Sequence, residues 1–256
     1  MPRAAIYTPS GARAVANLRF YWTGWLSGGE QFPPDLPAAA ETCAAPWRSD
    51  GISGDTFQSS ADMLQILCRV DETVAPSFFA QRLKGRLQHV LRHGGSIIKF
   101  NRKLSVRSLD DNKRETVEAY VVHQSDRSDY VDPRFKNYLN DIRFVNDNVD
   151  LEAATVTGRG HYWYILCVAL VVADRRWPVT RNENFERLRD GCLCIATKKG
   201  AAISAVSIMP DHIHLPLRGN IEHSPQEIAL SYLNNLSYLM GFNECWSREY
   251  YAWHVQ

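Results

Sequence analysis

Two histidines separated by one apolar residue, His212 and His214 around Ile213, carry the clearest chemical potential in this chain. On a β-strand successive side chains alternate faces, so Ile213 turns inward and both imidazoles leave the opposite face together. Two neutral imidazoles side by side make half of a divalent-metal site. A second pair lies far upstream: Tyr120 and Gln124 are four residues apart in a stretch of helical character, residues 110–124, with acid in its early turns. That spacing sets a phenol and an amide on one helix face, with Asp111 or Asn112 expected as the cap. Asp211, just before the histidine strand, reads as a turn residue rather than as an acceptor that orients His212.

The run Met209-Pro210-Asp211-His212-Ile213-His214-Leu215 resembles the signature strand of the HUH single-tyrosine transposases, the group of IS200-like and REP-associated tyrosine transposases. In that family two histidines bind a metal and a tyrosine on a separate helix attacks single-stranded DNA. The family's tyrosine helix follows the histidine strand and carries a glutamine one turn beyond the tyrosine. Here the residues after His214 give a helix over 224–240 and an aromatic strand around Trp246 to Val255, and the chain stops at Gln256. The stretch resembling the tyrosine helix stands upstream instead, around Tyr120 and Gln124. Tyr250 and Tyr251 are the rival nucleophiles, but neither has a glutamine four residues later.

An internal repeat accounts for the order. Asp62 matches Asp211 and Pro76 matches Pro225 at one constant offset, which puts Met63 and Gln65 where the histidines stand. The segment 18–26 is a weaker counterpart of 161–169. The chain therefore reads as two tandem copies of one domain. The first, residues 1–126, keeps a tyrosine helix and has lost its histidines. Residues 127–157 link it to the second, 158–256, which keeps the His-x-His strand and ends before a tyrosine helix could begin. Family members commonly pair one subunit's tyrosine with the other's histidines, and fusion makes that pairing intramolecular.

What the resemblance implies follows from there. The fold class is α+β: two tandem ferredoxin-like domains, each an antiparallel sheet with helices on one face, forming a pseudo-dimer. The composite site would place Tyr120 as nucleophile and hold Mg2+ or Mn2+ on His212, His214 and Gln124, for cleavage and strand transfer of single-stranded DNA through a 5′-phosphotyrosine. The partner would be DNA with a hairpin, from inverted or palindromic repeats. One chain would act as a pseudo-dimer, with a homodimer left open.

Composition agrees without deciding. A net charge of +1 over 256 residues says nothing by itself about nucleic acid. Charge is concentrated locally: from Arg82 to Arg114 there are ten basic residues against two acidic ones. Lys84, Arg86 and Arg92, on a helix expected over 76–92, and Arg102 and Lys103, on the strand beyond it, are the candidate DNA contacts. The six cysteines match no zinc framework, and with no signal peptide visible at the start the expectation is reduced thiols in a cytoplasm, nucleoid-associated when on DNA. The apolar run 162–173 is too short to span a bilayer and reads as a buried strand within 159–173. A strand is expected over 202–217 and helices over 133–140 and 182–199. Residues 28–54, rich in Pro, Ala and Gly, read as an irregular surface excursion. His123 and His254 read as solvated or structural. Three readings fit these residues: an active nuclease and transferase, a hairpin-binding descendant that no longer cuts, and an unrelated metal-dependent hydrolase.

Overall fold

The computed structural model describes residues 4–28, 31–34, 36–127, 130, 132–173, 182–241 and 244–256. The leading half runs β1 (Arg13–Asn17), β2 (Arg19–Leu26), α1 (Leu36–Ser49), β3 (Ile52–Ser59), β4 (Met63–Val70), α2 (Pro76–His93), β5 (Phe100–Leu109) and α3 (Arg114–Val122). A 3-10 turn (Gln124–Arg127), α4 (Pro133–Ile142), β6 (Phe144–Val145) and β7 (Thr155–Thr157) follow. The trailing half runs β8 (Gly160–Trp163), β9 (Ile165–Val172), α5 (Asn182–Lys199), β10 (Ala202–Ile203), β11 (Ala205–Ile208), β12 (His212–Arg218), α6 (Pro225–Met240) and β13 (Trp246–His254). The fold is α+β, with two mixed sheets and six α-helices among the described residues.

The first sheet has the order β3-β4-β2-β5-β8-β7, and the second β1-β13-β9-β12-β11-β6, with β10 also on β12. Read from opposite ends, the two share one plan. β3 or β11 is followed by the Met63 or His212 strand (β4 or β12), a central strand (β2 or β9), then β5 or β13, and then a strand from the other half of the chain (β8 or β1). Those last strands are exchanged: β1 pairs in parallel with β13, and β8 in parallel with β5. The sheets are therefore mixed, where wholly antiparallel sheets were expected from the resemblance.

The exchange has a local cause. Residues 159–173 were expected as one strand, but the chain steps from one sheet to the other at Tyr164, whose buried ring packs near Phe20 and His254. Gly160 permits the new pairing, because a Cβ there would lie 2.2 Å from the Leu104 carbonyl oxygen. Ser108 ties the seam, its hydroxyl donating to the Val255 carbonyl at 3.2 Å and accepting from the Ile165 N–H at 3.0 Å.

Alternation sets the cores. Phe20 and Trp22 on β2 with Ile66 on β4 face α1 and α2, whereas Val168 and Leu170 on β9 with Ile213 and Leu215 on β12 face α5 and α6. α6 starts at a capping box, Ser224 with Glu227, and ends at Gly241 in the left-handed region. The excursion expected at 28–54 is a correction: Leu36–Ser49 is a helix burying Cys43 and Trp47, and Ile52 begins β3. Alanine favours helix strongly enough to outweigh Pro37, which sits in the first turn, and Pro46, which removes one ladder bond. Residues 29, 30 and 35 of that stretch lie outside the described residues, as do 128, 129 and 131 of the linker. The rest of the linker holds α4 and adds β6 to the second sheet and β7 to the first.

Candidate active site

The histidine strand is the second strand in from its edge, between β11 and β9. Ile213, Leu215 and Leu217 are fully buried on the core side, and this alternation turns His212 and His214 to the other face. There α3 covers them. Val117 and Val121, one turn apart, pack on Ile165, Cys167, Ala205 and Val255 in a small second core. The second sheet thus has helices on both faces, not on one.

α3 reaches the second sheet because both of its ends are tied. The expected caps are corrected: Lys113 is the N-cap and makes no side-chain cap bond. The Arg114 N–H donates instead to the Gln256 carbonyl at 2.7 Å, and the Gln256 N–H to the Asn112 carbonyl at 3.1 Å. Asp111 is engaged by Arg19 at 2.9 Å, and buried Asp110 accepts from Asn17 at 2.7 Å. At the far end Arg143 donates to the Val122 carbonyl.

These ties bring together residues that are distant in sequence. The Tyr120 ring meets the His214 ring edge to face at 5.5 Å, and the two imidazole rings are 4.9 Å apart. Gln124 lies past the helix on the 3-10 turn, not on the helix as its spacing suggested, yet it faces the same way. Its Nε2 donates to the Tyr120 hydroxyl at 3.4 Å and meets Nε2 of His212. Gln124 is 5% exposed and His214 8%. Burial, with the neighbouring His212 adding to it, pushes the His214 imidazole down to about 3, so that it stays neutral.

Two residues take roles that the sequence did not give them. Asp211 is a turn residue that also orients a histidine, its Oδ1 lying 2.6 Å from Nδ1 of His212. That contact holds the proton on Nδ1 and leaves the Nε2 lone pair facing Gln124. Arg127, which sequence reading passed over, places its guanidinium 4.7 Å over the Tyr120 ring. Its only sequence signal is its position three residues past Gln124. Among the rivals, Tyr250 is fully buried and its phenol is pushed up by that burial. Tyr251 shares the histidine face two strands away, its hydroxyl 3.4 Å from Glu249. His254 is buried against the Arg19 backbone, and exposed His123 pairs with Asp126.

A metal at this site would meet two imidazoles and one amide. Among the described residues no group of three or more His, Cys, Asp or Glu side chains forms a metal cluster. Gln124 Oε1 and His214 Nδ1 are buried polar atoms without hydrogen-bond partners, and two neutral nitrogens with an amide oxygen suit a divalent cation.

The basic candidates divide over three places. Lys84, Arg92 and Arg102, joined by His89 and Arg159, line a groove of about 1080 Å³ between α2 and the β7–β8 turn, with Glu222 at its rim. Arg86 points away from it and binds Asp50 at 2.6 Å. Lys103 lies on the opposite face of β5, where Leu104 marks the core side. All six cysteines are free, and no described helix is long and apolar enough to cross a membrane.

Residues 162–256 match the family model described as "Transposase IS200 like". No curated protein matches the chain. Among solved structures, an unknown protein from Galdieria sulphuraria is 9% identical at a TM-score of 0.24, covering 94% of this chain and 99% of its own. The regulatory subunit of aspartate kinase from Thermus thermophilus is 13% identical at 0.22, covering 89% and 99%. A bacterial light-regulated adenylyl cyclase is 8% identical at 0.23, covering 88% and 65%. Scores this low carry no argument about fold or function. The matched residues hold both histidines and their Asp211, while Tyr120 and Gln124 lie outside the match. Residues 162–256 are thus similar to the IS200-like transposases.

Proposed function

We propose that this chain is a metal-dependent single-stranded DNA endonuclease and strand transferase with one composite site. Tyr120 is its nucleophile, and His212, His214 and Gln124 are its metal ligands. One observation carries this reading: a phenol from the leading half stands beside the imidazole pair of the trailing half. The shared strand order of the two sheets and their exchanged strands support descent from two tandem copies, in which the surviving parts sum to one site.

The chemistry follows from the residues present. The Tyr120 oxygen gives up its proton to water and attacks the scissile phosphorus, the bond to the 3′ oxygen breaks, and that oxygen takes up a proton from water and leaves as a 3′-hydroxyl. The 5′ phosphate stays on the phenol. The phosphotyrosine retains the energy of the broken diester, so attack by another 3′-hydroxyl rejoins the strand without a nucleotide cofactor. Asp211 fixes the His212 tautomer, and Arg127 sits where it can face the phosphate's charge. Bound Mg2+ or Mn2+ would polarise a nonbridging phosphate oxygen and position it for in-line attack. The groove at Lys84, Arg92 and Arg102 suits the phosphate backbone of an adjoining hairpin.

The test is incubation of the full chain with labelled hairpin DNA carrying a single-stranded tail, in Mn2+, followed by a denaturing gel. A protein–DNA adduct that disappears in Tyr120→Phe is the expected result. Binding without an adduct would make the chain a hairpin-binding protein, and cleavage that survives the substitution would make it a hydrolase of another kind.

A further inference from the structure

Among the described residues, helices cover the second sheet on both faces and the first on one. α1 and α2 pack on the Phe20 and Trp22 side, and among the described residues no helix lies on the other side. The side chains on that open face are not those of its covered counterpart. By strand register, Thr23 lies opposite Gln65 as Ala169 lies opposite His214. Tyr21, Thr23 and Trp25 therefore stand where the helix-covered face has Cys167, Ala169 and Val171. Small side chains there let α3 approach, whereas an aromatic pair does not.

The neighbouring strands extend the pattern. On β5, next to β2, Lys103 and Arg107 point to the open face and are exposed, and neither has an ion-pair partner among the described residues. On β8, next to β5, Trp163 lies beside Arg107, whose guanidinium is 4.7 Å over the indole ring. Tyr21, Trp25 and Trp163 are all half-buried. With strands about 4.8 Å apart and side chains on one face about 7 Å apart along a strand, these rings are separated by roughly 10 to 17 Å, a spacing that an extended single strand spans in a few nucleotides.

We propose that this open face is a binding platform for single-stranded DNA, with bases stacked on Tyr21, Trp25 and Trp163 and the backbone held by Lys103 and Arg107. Aromatic rings interleaved with unpaired cations on an uncovered sheet match the two demands of an unpaired strand, a stacking surface for bases and positive charge for phosphates. The paired stem of a hairpin offers no free bases to such a surface, so the platform differs in ligand from the α2 groove. The inference rests on the proposed function for unpaired DNA as the substrate and for the cleavage site that the bound strand flanks. It gives the degenerate half of the molecule a task, which is to hold the strand flanking the cleavage site.

The experiment is fluorescence anisotropy of the full chain with an unstructured oligothymidylate, compared with a blunt hairpin. Tyr21→Leu combined with Trp163→Leu should weaken oligothymidylate binding about tenfold or more and leave hairpin binding unchanged. Arg107→Gln, which removes an exposed charge together with its contact on the Trp163 ring, should weaken it less and flatten its salt dependence. Circular dichroism melts verify that each variant folds. Unchanged oligothymidylate binding in both variants would overturn the platform, as would an equal loss on the hairpin. Tighter binding of oligouridylate than of oligothymidylate, or a dimer that the double variant dissolves, would assign the face to another occupant and overturn it too. Adduct formation on Tyr120 is scored separately: if it fails while the aromatic dependence holds, the nuclease reading falls and the platform stands.

Discussion

The ring of Tyr120 rests 5.5 Å from the ring of His214, edge to face, although the first belongs to the segment that follows the first sheet and the second to a strand inside the other sheet. The contact depends on α3 leaving its own sheet and docking on the neighbour's. The backbone of Gln256 and the buried carboxylate of Asp110 hold it there.

Asp211 is expected to matter through His212. Asp211→Asn keeps the shape but weakens the acceptor that fixes the Nδ1 proton, so activity should fall about 10- to 100-fold and recover in part at higher Mn2+ concentration. Single-turnover cleavage across a Mn2+ titration measures this. A loss that no metal concentration relieves would mean that Asp211 serves only the turn.

The basic residues should separate by location. Lys84→Ala and Arg102→Ala, in the groove, are each expected to weaken hairpin binding and lower the slope of log affinity against log salt by about 1. Arg86→Ala should leave that slope unchanged and destabilise the fold instead, since Asp50 loses the guanidinium that holds its carboxyl below the usual range. Binding isotherms at several salt concentrations, with urea melts alongside, distinguish the two.

Stability should fall in acid through buried histidines. Burial pushes His254 down to about 4, against about 6.5 in the unfolded chain. Above pH 6.5 both states are neutral and nothing is lost. As pH falls from 6.5 to 4 the unfolded state takes up a proton that the folded state refuses, so stability drops by up to about 3 kcal/mol. His214 acts in the same direction. Urea denaturation across this range should show the slope, and His254→Gln should reduce it.

Much of the site was legible because its chemistry sits in local patterns. His212 and His214 around one apolar residue marked the strand and its face, Tyr120 and Gln124 marked the segment that packs beside them, and the matching offsets of Asp62 and Pro76 are the ground for the proposed repeat. The features that escaped were not local. Nothing in the continuous apolar run from Tyr162 onward signals that the chain changes sheets at Tyr164, because both sheets demand the same residue types there. The prolines around the alanines of Leu36–Ser49 disguised a helix whose stability comes from burying Cys43 and Trp47. Asp211 and Arg127 acquire their roles only from side-chain direction, which spacing does not give.

The most direct measurement is mass spectrometry of the trapped complex after nuclease trimming and trypsin. Cleavage after Arg114 and Arg127 isolates a peptide, residues 115–127, whose only tyrosine is Tyr120, whereas Tyr250 and Tyr251 fall in residues 249–256. A nucleotide mass on the 115–127 peptide is the predicted result. The same mass on the 249–256 peptide, or on neither, would contradict a site assembled from the two halves of the chain.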